Sequence, residues 1–151
     1  LLLYPSGGLA PELPIFFLSE ELEKERFKYY SLLNRVRGIG KLEPDWRSWI
    51  LFFLSCTERM AERQYDKLDQ AEQLYESGLQ SIEQPATQKV WGALFESPIA
   101  TVNQIEKTTR LAPVTIRKSL KQLTELNMVF GDDRQRNRRY YHYDLIRIMS
   151  E

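Results

Sequence analysis

The stretch "RLAPVTIRKSLKQLTELNMVFGDDRQRNRRYY", Arg110 to Tyr141, decides the fold of the back half of the chain. Pro113 stands at a first helical position, where its missing amide costs nothing. From there Ile116, Leu120, Leu123 and Asn127 recur at helical spacing and predict one inward seam. Then the period changes. Met128 to Phe130 and Arg139 to Tyr143 are short aromatic and β-branched runs separated by Gly, Asp and Asn, the pattern of a β-hairpin.

Working outward, Pro85 in "SIEQPATQK" marks a boundary, and Val90, Trp91, Leu94 and Phe95 follow it on a short helix that "ESP" terminates. Thr101 and Gln104 form a capping box, the Thr oxygen taking the amide three residues on while Gln reaches back, and open a helix that presents Val102 and Ile105. Asp144 is placed to cap a last helical turn holding Leu145, Ile148 and Met149. Three helices followed by a hairpin predict a winged helix-turn-helix over residues 85–151.

The front half, residues 1–84, reads as helical. After a Gly/Pro loop, Ser19 can cap a helix whose first turn carries Glu20 and Glu21, with Leu22, Arg26, Tyr29, Leu33 and Val36 on one face and Gly38 as its stop. A second helix starts near Asp45 and carries apolar positions from Trp46 and Trp49 through Met60 and Leu68 to Tyr75, Leu79 and Ile82. Unbroken, it would reach roughly 55 Å. Its first third is apolar most of the way round and is expected to be enclosed. The remainder is expected either to project, as a stalk or homodimer seam, or to bend near Gly78 and fold back on its neighbours.

With 42% apolar residues in 151, the chain can bury a core and is mainly α. Charge is balanced overall at 21 basic and 21 acidic residues but unevenly spread. Residues 1–84 hold 10 Lys and Arg against 14 Asp and Glu, whereas residues 85–151 hold 11 against 7, the asymmetry expected of a chain with one nucleic-acid-facing part. A single cysteine, Cys56, sits among Phe52, Phe53 and Leu54 as a buried thiol, which fits a reducing cytoplasm. No apolar run approaches the roughly 18 residues of a membrane span, so no membrane partner is expected. The start, "LLLYPSGGL", lacks an initiator Met and a leader, and reads like the last turn of a helix in a longer protein.

With Ile116 as the zero of a helical wheel, Arg117 falls near about 100°, Lys121 near about 140°, Val114 near about 160° and Lys118 near about 200°. Every cation of that helix points away from the seam. Val114, Thr115, Arg117, Lys118 and Lys121 are therefore the candidates to meet base edges or phosphates in a major groove of duplex DNA. Arg134, Arg136, Arg138 and Arg139 add four guanidinium groups within six residues at the hairpin, for backbone phosphates. Glu125, Asp132 and Asp133 dilute this basic field, so protein docking and plain solvation stay open beside DNA contact.

Enzyme chemistry finds little here. The one histidine, His142, lies in the second hairpin strand as a surface or half-buried ring, and one His with one Cys cannot close a four-ligand metal site. No Gly-rich phosphate loop appears.

Read as text, "LPIFFLSEELEKERFKYYSLLNRVR" and "DWRSWILFFLSCTERMAE" resemble the C-terminal helices of Fic-domain proteins. Leu13, Pro14, Leu18, Ser19, Tyr29, Tyr30, Leu32, Leu33, Val36, Arg37, Trp46, Trp49, Ile50, Phe52, Phe53 and Leu54 carry the match, over about residues 1 to 65. Arg139, Tyr141, Tyr143 and Asp144 resemble the Arg-x-Tyr-x-Tyr-Asp ending of the winged helix in one Fic subgroup. The resemblance implies a parent enzyme that moves AMP from ATP, with Mg²⁺, onto a hydroxyl of a target protein through a His-Pro-Phe-x-x-Gly-Asn-Gly-Arg motif. That motif is absent from this sequence, so no catalytic residue or cofactor carries over and this stretch is not itself expected to be an enzyme. Arg110 departs from the glycine common at that turn.

Overall fold

A computed structural model describes residues 18–39 and 43–150 of the chain. The expected Gly/Pro loop, and with it Leu13 and Pro14, lies outside the described residues. Among those described, seven helices and one small three-stranded sheet make the protein mainly helical, in two compact units, residues 1–66 and 67–151.

In the first unit, α1 (Leu18–Lys24) and α2 (Arg26–Val36) replace the single expected helix. They part at Glu25, whose backbone leaves helical geometry (φ −111°, ψ 34°) and whose carboxylate is held by Arg59. Ser19 lies inside the first turn of α1 rather than at its cap, because the helix already includes Leu18. Gly38 ends α2 as expected, in the left-handed region at φ 67°.

Asp45 caps α3 (Trp46–Gln80), its Oδ1 accepting from the Ser48 amide at 3.0 Å. The core is Leu32, Phe52 and Cys56, flanked by Leu18, Leu22, Tyr29 and Trp49. Leu32 rather than Leu33 enters it. The thiol of Cys56 is fully buried, which pushes its pKa up. Glu21 is buried too; Arg63, Lys24 and Arg59 surround it, outweigh the burial that would raise its pKa, and hold it below the usual carboxylate range.

The expected enclosure of the first third of α3 does not hold. Only the Phe52, Cys56 and Met60 stripe is buried, while Trp46, Ile50, Leu51 and Leu54 are more than half exposed. One helix pair can cover one face of a helix and no more.

In the second unit the last part of α3 packs with α4 (Pro85–Glu96), β1 (Ile99–Thr101), α5 (Val102–Thr109), α6 (Pro113–Glu125), β2 (Phe130–Gly131), β3 (Arg139–Tyr141) and α7 (Tyr143–Ser150). The unit thus begins upstream of Pro85, because Tyr75, Leu79 and Ile82 belong to its core. α3 keeps its helical form through Gly78. The glycine serves close approach: a Cβ on it would lie 2.6 Å from Nε1 of Trp91. That nitrogen donates to the Tyr75 carbonyl at 3.1 Å.

The capping box at Thr101 and Pro113 at the start of α6 are both present, and Ile116, Leu120 and Leu123 are fully buried. Asn127 is not part of that seam. It stands exposed in the left-handed region (φ 56°), its amide donating to the Thr124 carbonyl just past the end of α6. Between α4 and α6 the Thr87 hydroxyl lies 3.1 Å from Ser119 Oγ and 3.0 Å from Gln122 Oε1, so this buried polar contact is satisfied.

The hairpin gains a third strand that the sequence reading did not anticipate. The order is β1-β3-β2, both pairs antiparallel, with Ile99 opposite Tyr141 and Phe130 opposite Tyr141 on its other side. Asp144 lies within the first turn of α7, which already starts at Tyr143, so it does not cap the helix.

His142 is fully buried rather than on the surface or half-buried as expected, its ring 4.5 Å from that of Trp91 and 5.0 Å from that of Phe95. Burial drives its pKa down from 6.5 to about 4, against the opposing pull of the Asp144 carboxylate. The folded ring stays neutral where the unfolded one takes a proton, so stability is fullest above pH 6.5, falls as pH drops toward 4 and levels off below. Denaturant titrations of the second unit across this range are expected to show a loss of about 3 kcal/mol. The His142→Phe variant should remove this component of the pH dependence; an unchanged profile would show that His142 does not cause it.

Candidate nucleic-acid interface

The amino-terminal end of α5, the exposed side of α6 and the β2–β3 hairpin enclose a cleft of about 530 Å³. Each wall has a local cause. The capping box fixes the start of α5, with the Gln104 amide donating to Thr101 Oγ1 and the Thr101 amide donating to Gln104 Oε1 at 2.8 Å. Arg110, left-handed at φ 57°, turns the chain from α5 into α6, its amide donating to the Glu106 carbonyl at 2.8 Å. Asn137, at φ 51°, turns the hairpin tip.

Three of the nine candidate residues meet in this cleft: Arg117 from α6, and Arg134 and Arg138 from the hairpin. Asn103, Gln135, Asn137 and Tyr140 supply hydrogen-bonding groups around them, and Asp133 brings one carboxylate. Arg138 is held in place twice. Its guanidinium lies 5.6 Å from the centre of the Tyr140 ring, and Nη2 donates to the Gly131 carbonyl at 3.3 Å. Arg134 pairs with Asp132 at 3.4 Å.

The other candidates are placed apart. Arg139 lines a second cleft, with Arg134, Thr101 and Gln104, on the opposite side of β3 from Tyr140. Arg136 is exposed on the hairpin and lines neither cleft. Along α6, Val114 is 76% exposed and Lys118 is exposed, while Thr115 is half-buried. Lys121 is exposed and pairs with Glu125 at 3.7 Å, a solvent-screened contact worth little. These residues continue the outer face of the helix beyond the cleft.

Sequence reasoning missed Asn103 and Tyr140 as lining residues, and missed what Gly131 does. The capping box located the start of α5, but its proximity to the hairpin follows from the pairing of β1 with β3, which no local pattern announced. Among the described residues no group of three or more His, Cys, Asp and Glu side chains could hold a metal ion, and no helix is long and apolar enough to cross a membrane. No protein-family model matches the chain.

The cleft can hold an extended anion of moderate size: three guanidinium groups with fixed charge line it against one carboxylate. Gly131 leaves room for the Arg138 side chain, because a Cβ there would lie 2.8 Å from its Nη2. Gly131→Ala is therefore expected to leave the protein folded, displace Arg138 from Tyr140 and cost about 0.5–1 kcal/mol. Loss of the ring-current shift on the Arg138 side-chain protons checks it; an unmoved Arg138 signal contradicts this packing.

Proposed function

We propose that the second unit is a winged helix that binds duplex DNA, with α6 in the major groove and the hairpin arginines on the flanking phosphates. The observation that carries this reading is the meeting of Arg117 with Arg134 and Arg138 in one cleft, on the half of the chain with 11 basic against 7 acidic residues. Phosphate contact positions such a domain, while Arg117, Lys118, Lys121, Thr115 and Val114 offer donors and methyl groups to base edges. In this reading the resemblance over about residues 1 to 65 makes that segment the last helices of a Fic domain, with the long helix as the connection. AMP transfer, with its ATP and Mg²⁺, then belongs to residues outside this sequence, and the winged helix steers that parent enzyme to its target.

A second reading draws on the exposed Trp46, Ile50, Leu51 and Leu54 of α3. Apolar side chains crowded on one stretch suit a protein surface, either the rest of a parent chain or a second copy.

If about five cations each neutralise a phosphate, log K for a fluorescent duplex changes by about −4 to −5 per decade of salt. Arg117→Ala and Arg138→Ala should each reduce that slope by about one. Absence of binding at low salt, or binding indifferent to salt, rejects the DNA reading. A longer chain bearing the His-Pro-Phe-x-x-Gly-Asn-Gly-Arg motif is expected to label its target protein from radioactive ATP; a chain inert with its target present rejects the Fic reading.

A further inference from the structure

The sheet has two unlike faces. Ala100, Tyr140 and Gly131 form one row: Ala100 is 1% exposed, Tyr140 packs against the core and also lines the first cleft, and Gly131 faces the Arg138 guanidinium there. The opposite row, Ile99, Tyr141 and Phe130, runs straight across all three strands, with Ile99 and Phe130 each 46% exposed. Tyr143 extends it. Its ring lies parallel to that of Tyr141, 9° between planes and 5.5 Å between centres, and 5.4 Å from that of Phe130. One step along the same face, Arg139 stands opposite Thr101 and shares its cleft with Arg134 and Asn137; the Asp132 carboxylate, outside that lining, pairs with Arg134 at 3.4 Å and leaves the Arg139 guanidinium to the cleft.

We propose that this outer face is a stacking platform for an unpaired DNA strand, with bases on Tyr143 and Phe130 and phosphates on Arg139 and Arg134. Aromatic faces accept any base, and cations beside them follow the backbone. The aromatic rings and the arginines serve different parts of one ligand, which a purely apolar partner would not use. A base between two rings needs about 7 Å, twice the van der Waals spacing, so none enters the gap between Tyr141 and Tyr143. The strand instead adds a further layer on the solvent side of Tyr143, which is 52% exposed.

The choice of DNA over RNA rests on the duplex reading. Arg134 and Asn137 line both clefts, so a strand leaving a duplex seated against α6 meets the platform next.

The test uses the full chain and a fluorescent oligothymidine of about fifteen nucleotides at low salt, beside a blunt duplex and an oligouridine of equal length. The oligothymidine is expected to bind, Tyr143→Ser to weaken it about 5- to 100-fold, and Tyr143→Phe to keep it, since stacking needs the ring and not the hydroxyl. Arg139→Gln should lower its salt slope by about 0.7. Melting curves confirm that each variant is folded; were Tyr143→Ser unfolded, the salt slope of Arg139→Gln still decides, an unchanged slope overturning the platform.

No binding of oligothymidine, or binding that Tyr143→Ser leaves unchanged, overturns the platform whatever the duplex does. Loss of duplex binding alone overturns only the duplex reading. Tighter binding of oligouridine overturns the choice of DNA. Self-association that Tyr143→Ser abolishes, without any oligonucleotide bound, identifies a second copy as the occupant and also overturns the proposal.

Discussion

The second unit depends on one contact, the seating of the Trp91 indole in the space that Gly78 leaves on α3. A Cβ at Gly78 would collide with the ring, so no other residue type permits this approach without moving one of the two helices. The indole N–H is satisfied by the Tyr75 carbonyl, so burying the ring leaves no polar debt. His142 and Phe95 then pack on the ring. Through its own amide, which donates to the Pro98 carbonyl at 2.8 Å, His142 extends the pairing of β1 with β3. The helix junction thus fixes the strands, and the strands fix where the arginines stand.

The imidazole in this stack is an unusual filling. Neither of its nitrogens has a hydrogen-bond partner, so the ring serves by shape and aromatic contact alone, and only in its neutral form. A phenylalanine could fill the same space without a titration. What distinguishes histidine is that its burial in neutral form costs stability as pH falls from 6.5 toward 4, so the packing beside the sheet is coupled to protonation.

Local patterns made the elements legible but not their partners. The capping box, Pro113 and the seam of Ile116, Leu120 and Leu123 were readable because each is a relation among residues three or four apart. The outward turn of Arg117 followed from the same wheel. Third-strand pairing was not readable: β1 has only three residues and its partner lies about forty positions on, a distance over which periodicity says nothing. His142 was misjudged for the same reason, since its burial comes from Trp91 and Phe95 on another element. The apolar first third of α3 misled in the opposite direction. Hydrophobic side chains on every side of a helix are buried only if something surrounds it, and α1 and α2 reach one side.

The carboxylates beside the hairpin also take on a different meaning in three dimensions. By charge alone Asp132 weakens a surface that would attract phosphate. In the fold its Oδ1 accepts from the amides of Arg134 and Arg139, at 3.3 Å and 3.2 Å, while its own amide donates to the Arg139 carbonyl at 2.9 Å. These bonds pin the register of a two-residue strand against a three-residue one. A slip by a single position would turn Tyr140 outward and Tyr141 inward, and would carry Arg138 and Arg139 to the wrong sides of the sheet. An arginine-rich hairpin repels itself and has few contacts to hold it. One carboxylate at its base sacrifices a unit of positive field and in return decides which arginine faces which cleft.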